Sequence, residues 1–260
     1  YYNQILSEAI LLFIETASRK TGAGFLYRVD FRLRPDGRNA PLCGSYAEFI
    51  RYYESRGEDW ERQMLIKANY LCGSESLYNK FSDSVSRFIY PATFSVSPVE
   101  QIKKLKASIE QRSKSDDNIK FIAGGIRDIE FSLQALQLLN GGKDLSIRAE
   151  NSLDAIDKLL NKNILSEEEA RVFNNAYIFY RKAEHYLQLM NDQQTHTIPA
   201  EGEVVEKLAH FLNFMDLKSF KKKLNISKDK VQSIYNSIVG IKDSADSKND
   251  FNKIIFIDSK

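Results

Sequence analysis

The sequence predicts a mainly α-helical protein in which the remnant of an α/β domain precedes a helical bundle. Three observations carry that expectation. Apolar residues recur at helical spacing through most of the 260 residues, a single stretch, 25–35, has convincing strand periodicity, and the stripes between residues 125 and 187 are all helical. A 43% hydrophobic content fills a core, while the 28% of charged residues nearly cancel to +2, so no global field points to nucleic acid or an anionic membrane. No apolar run approaches the roughly 20 residues that span a bilayer. Cys43 and Cys72 form no ligand-spaced pair, which suits a reducing compartment, read here as the cytoplasm. The chain opens Tyr1-Tyr2-Asn3 inside a helical pattern and is expected to be a piece of something longer.

In order, Ile5, Ala9, Leu12 and residues 14–17 follow helical spacing, with Leu11 and Phe13 widening the stripe, so the first helix is expected to bury one broad side. Residues 21–24 break it and feed the strand. There side chains alternate, placing Tyr27, Val29, Phe31 and Leu33 on one face and Arg28, Asp30, Arg32 and Arg34 on the other. One carboxylate among three guanidiniums suits a metal ion and phosphate oxygens, or else charges that pair with each other and with water. A lone strand leaves its ladder unpaired, so its partners are expected upstream.

Residues 45–71 read as helix, with Phe49, Tyr52 and Tyr53 in one stripe, a break at Gly57, and Trp60, Met64, Ala68 and Leu71 in a second. Trp60 reads as a core anchor; Glu61 and Lys67 read as helix-surface charges or active-site groups. Prolines at 91 and 98 and a Lys-rich stretch, 101–120, expected to be a solvated helix or connector, mark the transition, and the domain line is drawn between 115 and 116. Gly124-Gly125 then opens a helix to about Asn140. Paired glycines leave first-turn N–H groups accessible to an anion, or simply start a helix. Ile126, Ile129, Leu133 and Leu136 share one side, and Arg127, Glu130, Gln134 and Gln137 share another that faces water or a site.

Four motifs occur in order: Val29-Asp30-Phe31-Arg32-Leu33-Arg34-Pro35; Trp60-Glu61 with Lys67-Ala68; Gly124-Gly125-Ile126-Arg127-Asp128-Ile129-Glu130-Phe131; and Arg181 to Gln188 with the run 191–199. In these the chain resembles the glutamine synthetase adenylyltransferase and adenylyl-removing enzymes. The resemblance implies a polymerase-β-like nucleotidyltransferase domain (1–115, lacking its first carboxylates) followed by a helical bundle (116–260). Arg127, where the transferring half usually has Thr, and the run 194–199 match the removing half. The resemblance further implies Mg²⁺ held by three carboxylates, of which Asp30 is the third and the others lie upstream, and ATP, ADP and phosphate as reactants.

Glutamine synthetase and the regulatory PII protein are the implied partners, with neither nucleic acid nor membrane. Arg32, Arg34 and Arg127 are candidate phosphate clamps, Glu130 orients Arg127, and Gly124, Gly125, Glu61 and Lys67 face the nucleotide. The chain departs from the family at Asn69, where Arg is usual, and at Phe121-Ile122-Ala123 before the paired glycines. A PII-uridylylating relative shares the glycine-started helix but does not normally carry the Val29 to Pro35 motif. A non-catalytic docking module is a third reading, suited to the missing carboxylates.

The rest reads as a bundle, with Leu153, Ile156, Leu159 and Leu160 in one core stripe and Phe173, Ala176, Tyr177, Tyr180, Ala183 and Leu187 in another. His185 and His196 lack a third ligand at zinc spacing. Residues 208–214 and the lysines at 221–223 read as helical surface. The tail is polar, then β-like at 254–257.

Overall fold

The computed structural model describes residues 2–22, 24, 26, 27, 29–112, 118–191 and 195–240. They form ten α-helices and no sheet; the mainly α class read from the sequence is borne out, and two isolated bridges, Thr21 with Gly24 and Asn118 with Thr197, are the β pairing among them. The chain divides into two compact units, Tyr1–Pro91 and Ala92–Lys260. The line drawn at 115/116 falls inside the second of these.

The first unit contains α1 (Tyr2–Ser18), α2 (Tyr46–Ser55), α3 (Asp59–Ile66) and α4 (Glu75–Ile89). Ser45 caps α2 reciprocally: its hydroxyl accepts from the Glu48 amide while Glu48 Oε2 accepts from the Ser45 amide at 2.6 Å. Tyr53, buried on α2, lies against Phe81 and Phe88 of α4, and Leu65, Ile66, Val85 and Ile89 complete the core. Gly57 is needed where it stands, because a Cβ there would lie 2.6 Å from the Phe88 ring.

Several expectations fail in this unit, among them the reach of the helix to Leu71, since α3 ends at Ile66 and Leu71 is 90% exposed. Helix α1 buries Ala17 but exposes Ile5, Leu11, Leu12 and Phe13. The described residues of 26–34 have no ladder partner and form no strand, so Tyr27 and Leu33 are 69% and 62% exposed instead of sharing a core face. Trp60 is no core anchor; it is 36% exposed and its indole N–H donates to Glu58, whereas Glu61 beside it is fully buried.

The second unit is built around α6 (Ile126–Asn140), which packs against α5 (Pro98–Arg112), α7 (Ser152–Asn161), α8 (Glu167–Asn191) and α10 (Leu217–Gly240); α9 (Glu203–Phe211) packs on α8 and α10. The expected stripes of α7 and α8 supply Ile156, Leu159, Phe173, Tyr180 and Leu187 to one core, joined by Val205, Phe220 and Val231. Each such fully buried apolar side chain contributes about 1.5–3 kcal/mol. Val99 and Ile102 of α5 pack with Phe131, Tyr235 and Val239 in a smaller core, so this helix is not the solvated connector its lysines suggested. The tail, 243–260, lies outside the described residues.

Candidate functional site

In the first unit, local bonds replace the missing ladder. The guanidinium of Arg32 folds back on Asp30, its Nε 2.9 Å from both carboxylate oxygens, and the Arg32 amide donates to Oδ1 at 3.0 Å. The two residues expected to project side by side from a strand therefore close on each other. Arg34 turns inward instead: its guanidinium donates to the carbonyls of Pro41 (3.1 Å), Arg38 (2.9 Å), Ala40 (2.7 Å) and Phe31. A rigid five-donor fork suits this pinning of a loop, and the same bonds occupy the donors a phosphate would need.

Glu61 Oε2 accepts from the Tyr52 hydroxyl at 2.9 Å and the Glu58 amide at 2.8 Å. Burial pushes its pKa up, and the hydrogen bonds only partly offset this. Tyr52 also lines a cavity of about 250 Å³ with Asp36, Cys43, Glu48, Phe49 and Arg56. Lys67, the C-cap of α3, is exposed and lines no part of that cavity.

Mg²⁺ requires several oxygen donors in near-octahedral array. Among the described residues no three His, Cys, Asp or Glu side chains come together, and both oxygens of Asp30 already accept from Arg32. The residues described do not by themselves make a Mg²⁺ site.

In the second unit the paired glycines have a different use from the one expected. Gly124 has φ +74°, and a Cβ there would sit 2.0 Å from the Lys228 carbonyl oxygen of α10; at Gly125 it would sit 2.4 Å from that of Ile119. These glycines permit backbone to meet backbone. Nor are the first-turn amides available. That of Gly124 donates to Asp128 Oδ2 at 2.7 Å, and those of Ile126 and Arg127 donate to the Ile119 and Lys120 carbonyls at 3.1 Å each. Asp128, 1% exposed, also pairs with Lys106 of α5 at 2.7 Å.

The polar stripe divides along its length. Gln134 and Gln137 are buried, and Gln137 Oε1 accepts from the Ala149 amide at 2.7 Å, a structural bond. Arg127 and Glu130 instead belong to a cluster of charges. Arg127 lies over the rings of Phe121 and Phe131, its Nε is buried without a hydrogen-bond partner, and burial draws its pKa down. Tyr177 Oη lies 3.4 Å from Glu130 Oε1. On α8 the fully buried Glu184 pairs with Arg181 at 2.6 Å and lies 2.6 Å from His196 Nδ1. Lys120 stands among them, its pKa lowered first by burial and then by Arg127.

Sequence reasoning assigned no chemistry to Lys120, Arg181, Glu184 or His196. The last three were visible as parts of a motif, and the signal for Lys120 was a lone charge inside an apolar run, with Ile119 before it and Phe121-Ile122-Ala123 after it. Gln194 lies outside the described residues.

Residues 99–239, more than half of the 260, match the family described as GlnD PII-uridylyltransferase. The chain belongs to this family. Residues 11–84 match the family described as glutamate-ammonia ligase adenylyltransferase, glutamate-ammonia ligase being glutamine synthetase. The two matches fall in the second and first units respectively, and together they bear out the resemblance to glutamine synthetase adenylyltransferase carried by the four motifs. A region that matches the PII-uridylyltransferase family thus follows one that matches the adenylyltransferase family, and both are nucleotidyltransferase families. No helix among the described residues is long and apolar enough to cross a membrane.

Proposed function

We propose that this chain belongs to the adenylyl-removing half of an enzyme that regulates glutamine synthetase. The carrying observation is the adenylyltransferase match over 11–84, which contains Asp30 to Arg34, followed by a helical unit whose glycine-started helix bears Arg127. In the reaction proposed, an oxygen of inorganic phosphate attacks the phosphorus of AMP on the modified tyrosine. The phosphorus–tyrosine bond breaks, the tyrosine regains a proton and ADP leaves. A multiply charged nucleophile approaching a phosphodiester needs cations fixed in advance. Arg127, desolvated and with no ion pair among the described residues, is suited to that role, and Glu130 to orienting it. Arg32, exposed and paired with Asp30, can exchange that partner for phosphate; Arg34 serves by shaping the loop.

Mg²⁺ and ATP belong to the parent enzyme's chemistry on this reading. Asp30 would be one metal donor there, and the chain alone is expected to be inactive in phosphorolysis. PII and a cytoplasmic setting complete the proposal.

In the full-length parent, Arg127→Ala should slow phosphorolysis of adenylylated glutamine synthetase about 10²-fold or more, the loss of one preorganised charge being worth roughly 3 kcal/mol. Adenylylation should be nearly unchanged. If adenylylation falls and removal survives, the chain belongs to the transferring half. The match of 99–239 favours one further reading, uridylyl transfer to PII, which incubation of the same parent with UTP and PII distinguishes.

A further inference from the structure

We propose that Lys120, Arg127 and Arg181, together with His196, form a binding site for a phosphate group within the second unit. Main-chain bonds assemble it from three separate segments. The Ile119 amide donates to the His196 carbonyl at 2.8 Å, setting Lys120 next to His196, and the Arg127 amide donates to the Lys120 carbonyl at 3.1 Å, setting the first turn of α6 against both. Helix α8 closes the group with Arg181 and Glu184. None of these side chains depends on a free helix terminus, since the first-turn amides are already bonded.

The charge balance points to an anion. Three basic side chains face two carboxylates, Glu130 and Glu184, and Glu184 is already shared between Arg181 and His196. Among the described residues no hydrogen bond or ion pair reaches the Lys120 ammonium or the Arg127 guanidinium, yet both are substantially withdrawn from water. Like charges held together out of water are costly unless an anion joins them. A phosphate, with several acceptor oxygens and up to two negative charges, satisfies an ammonium and two guanidiniums at once.

His196 contributes a proton linkage. Glu184 Oε1 lies 2.6 Å from its Nδ1, while burial and then the charge of Lys120 hold the ring below its ordinary pKa. The charged groups acting on it are Lys120 from the 118–122 turn and Glu184 and Arg181 from α8. A bound dianion offsets the repulsion from Lys120 and raises the His196 pKa, so binding takes up a fraction of a proton. That phosphate, and not another anion, is the natural occupant rests on the phosphorolysis reading; the existence of an anion site does not.

The test is titration of the whole chain with inorganic phosphate, AMP and ADP in separate arms, at ionic strength matched with KCl. Histidine resonances are followed by NMR and the heat by calorimetry. Phosphate or ADP should shift the His196 signals and raise its titration midpoint. Lys120→Met should weaken binding about tenfold to a hundredfold, the equivalent of one charge-assisted hydrogen bond. Lys120→Arg should restore most of it, and Lys207→Met, at a surface pair on α9, should change nothing. A response to ADP and phosphate identifies free phosphate as sufficient; a response to ADP alone identifies a nucleotide phosphoryl group, and either upholds the site. Absence of response to all three anions, or equal binding by a folded Lys120→Met chain, overturns it. Phosphate binding here with undiminished phosphorolysis in the Arg127→Ala parent would instead defeat the adenylyl-removing reading and leave the site standing.

Discussion

Substituting the paired glycines separates two physical costs that usually arrive together. Gly202, at φ +103° with nothing within 4 Å of the place an added methyl would take, carries backbone strain alone; Gly125, with ordinary φ but an oxygen 2.4 Å away, carries steric conflict alone; Gly124 carries both, at φ +74° and 2.0 Å. Strain at an unfavourable φ/ψ costs about 1–3 kcal/mol, and overpacking costs roughly another 1–3 kcal/mol. Ordinary contact begins near 3.4 Å, so at Gly124 the chain must part from α10 by more than an ångström. No rotamer change relieves this, because the obstructing atom is main chain. Gly124→Ala should therefore destabilise the second unit by about 2–6 kcal/mol, the sum of the two, and more than either other variant.

Two units need not unfold as one, so the assay must resolve them. Native-state hydrogen exchange on α6 and α10 amides reads the second unit, while fluorescence of Trp60, the one tryptophan, reads the first and should not move. Equal loss of protection in Gly124→Ala and Gly202→Ala would refute the steric half of the reasoning.

Other expectations are simpler to state. Glu61 has a raised pKa, so the folded state binds its proton more tightly than the unfolded chain and stability falls as pH rises from 4.5 through the folded value. Glu61→Gln, which can still accept from Tyr52 and the Glu58 amide, should flatten that dependence and raise the denaturation midpoint of the first unit at pH 7. Arg34→Lys keeps the charge but cannot span four carbonyls, and residues 31–41 should become markedly more accessible to protease than in the parent chain. Asp144, held at about 2 by hydrogen bonds from Lys162 and Ser146, should titrate closer to 3.8 in Lys162→Gln when followed by carboxylate NMR.

What the sequence disclosed depended on how local the determining contacts were. The stripes of α7 and α8 were legible because a single period sorted Ile156, Leu159, Phe173 and Tyr180 into the core. The segment 26–34 was misread because strand alternation records only which faces a strand would have. A ladder needs a neighbour, and without one Arg32 and Arg34 found nearer acceptors in Asp30 and in four carbonyls.

Glu61 misled for a similar reason. Beside Trp60 it looked like a surface charge, but the buried Tyr52 hydroxyl and Glu58 amide that hold it come from the adjoining helix and its own cap. At Gly124 the unusual residue was visible, but its cause, a carbonyl at position 228, lies about a hundred residues away. Of the candidate site, Arg127 and Glu130 were readable from helical spacing. Lys120 was not, because only the pairing of 118–119 with 196–197 brings it there.

The Lys106–Asp128 pair has a consequence for the uniqueness of the packing around α5. Val99 and Ile102 offer a small apolar face, and apolar contact by itself tolerates a helix turned or slid by part of a turn. A carboxylate that is 1% exposed does not tolerate this, since a displaced Lys106 would leave it without its cation. Buried ion pairs add little net stability compared with apolar replacements, and their best-attested contribution is register. Replacing both residues with Met and Leu should therefore cost the second unit little beyond the roughly 1–3 kcal/mol of leaving the Gly124 amide, which donates to Asp128, without its acceptor. It should also broaden the NMR signals of α5 as that helix samples neighbouring alignments, with the ring of Tyr235, over which Lys106 now lies, losing its fixed partner.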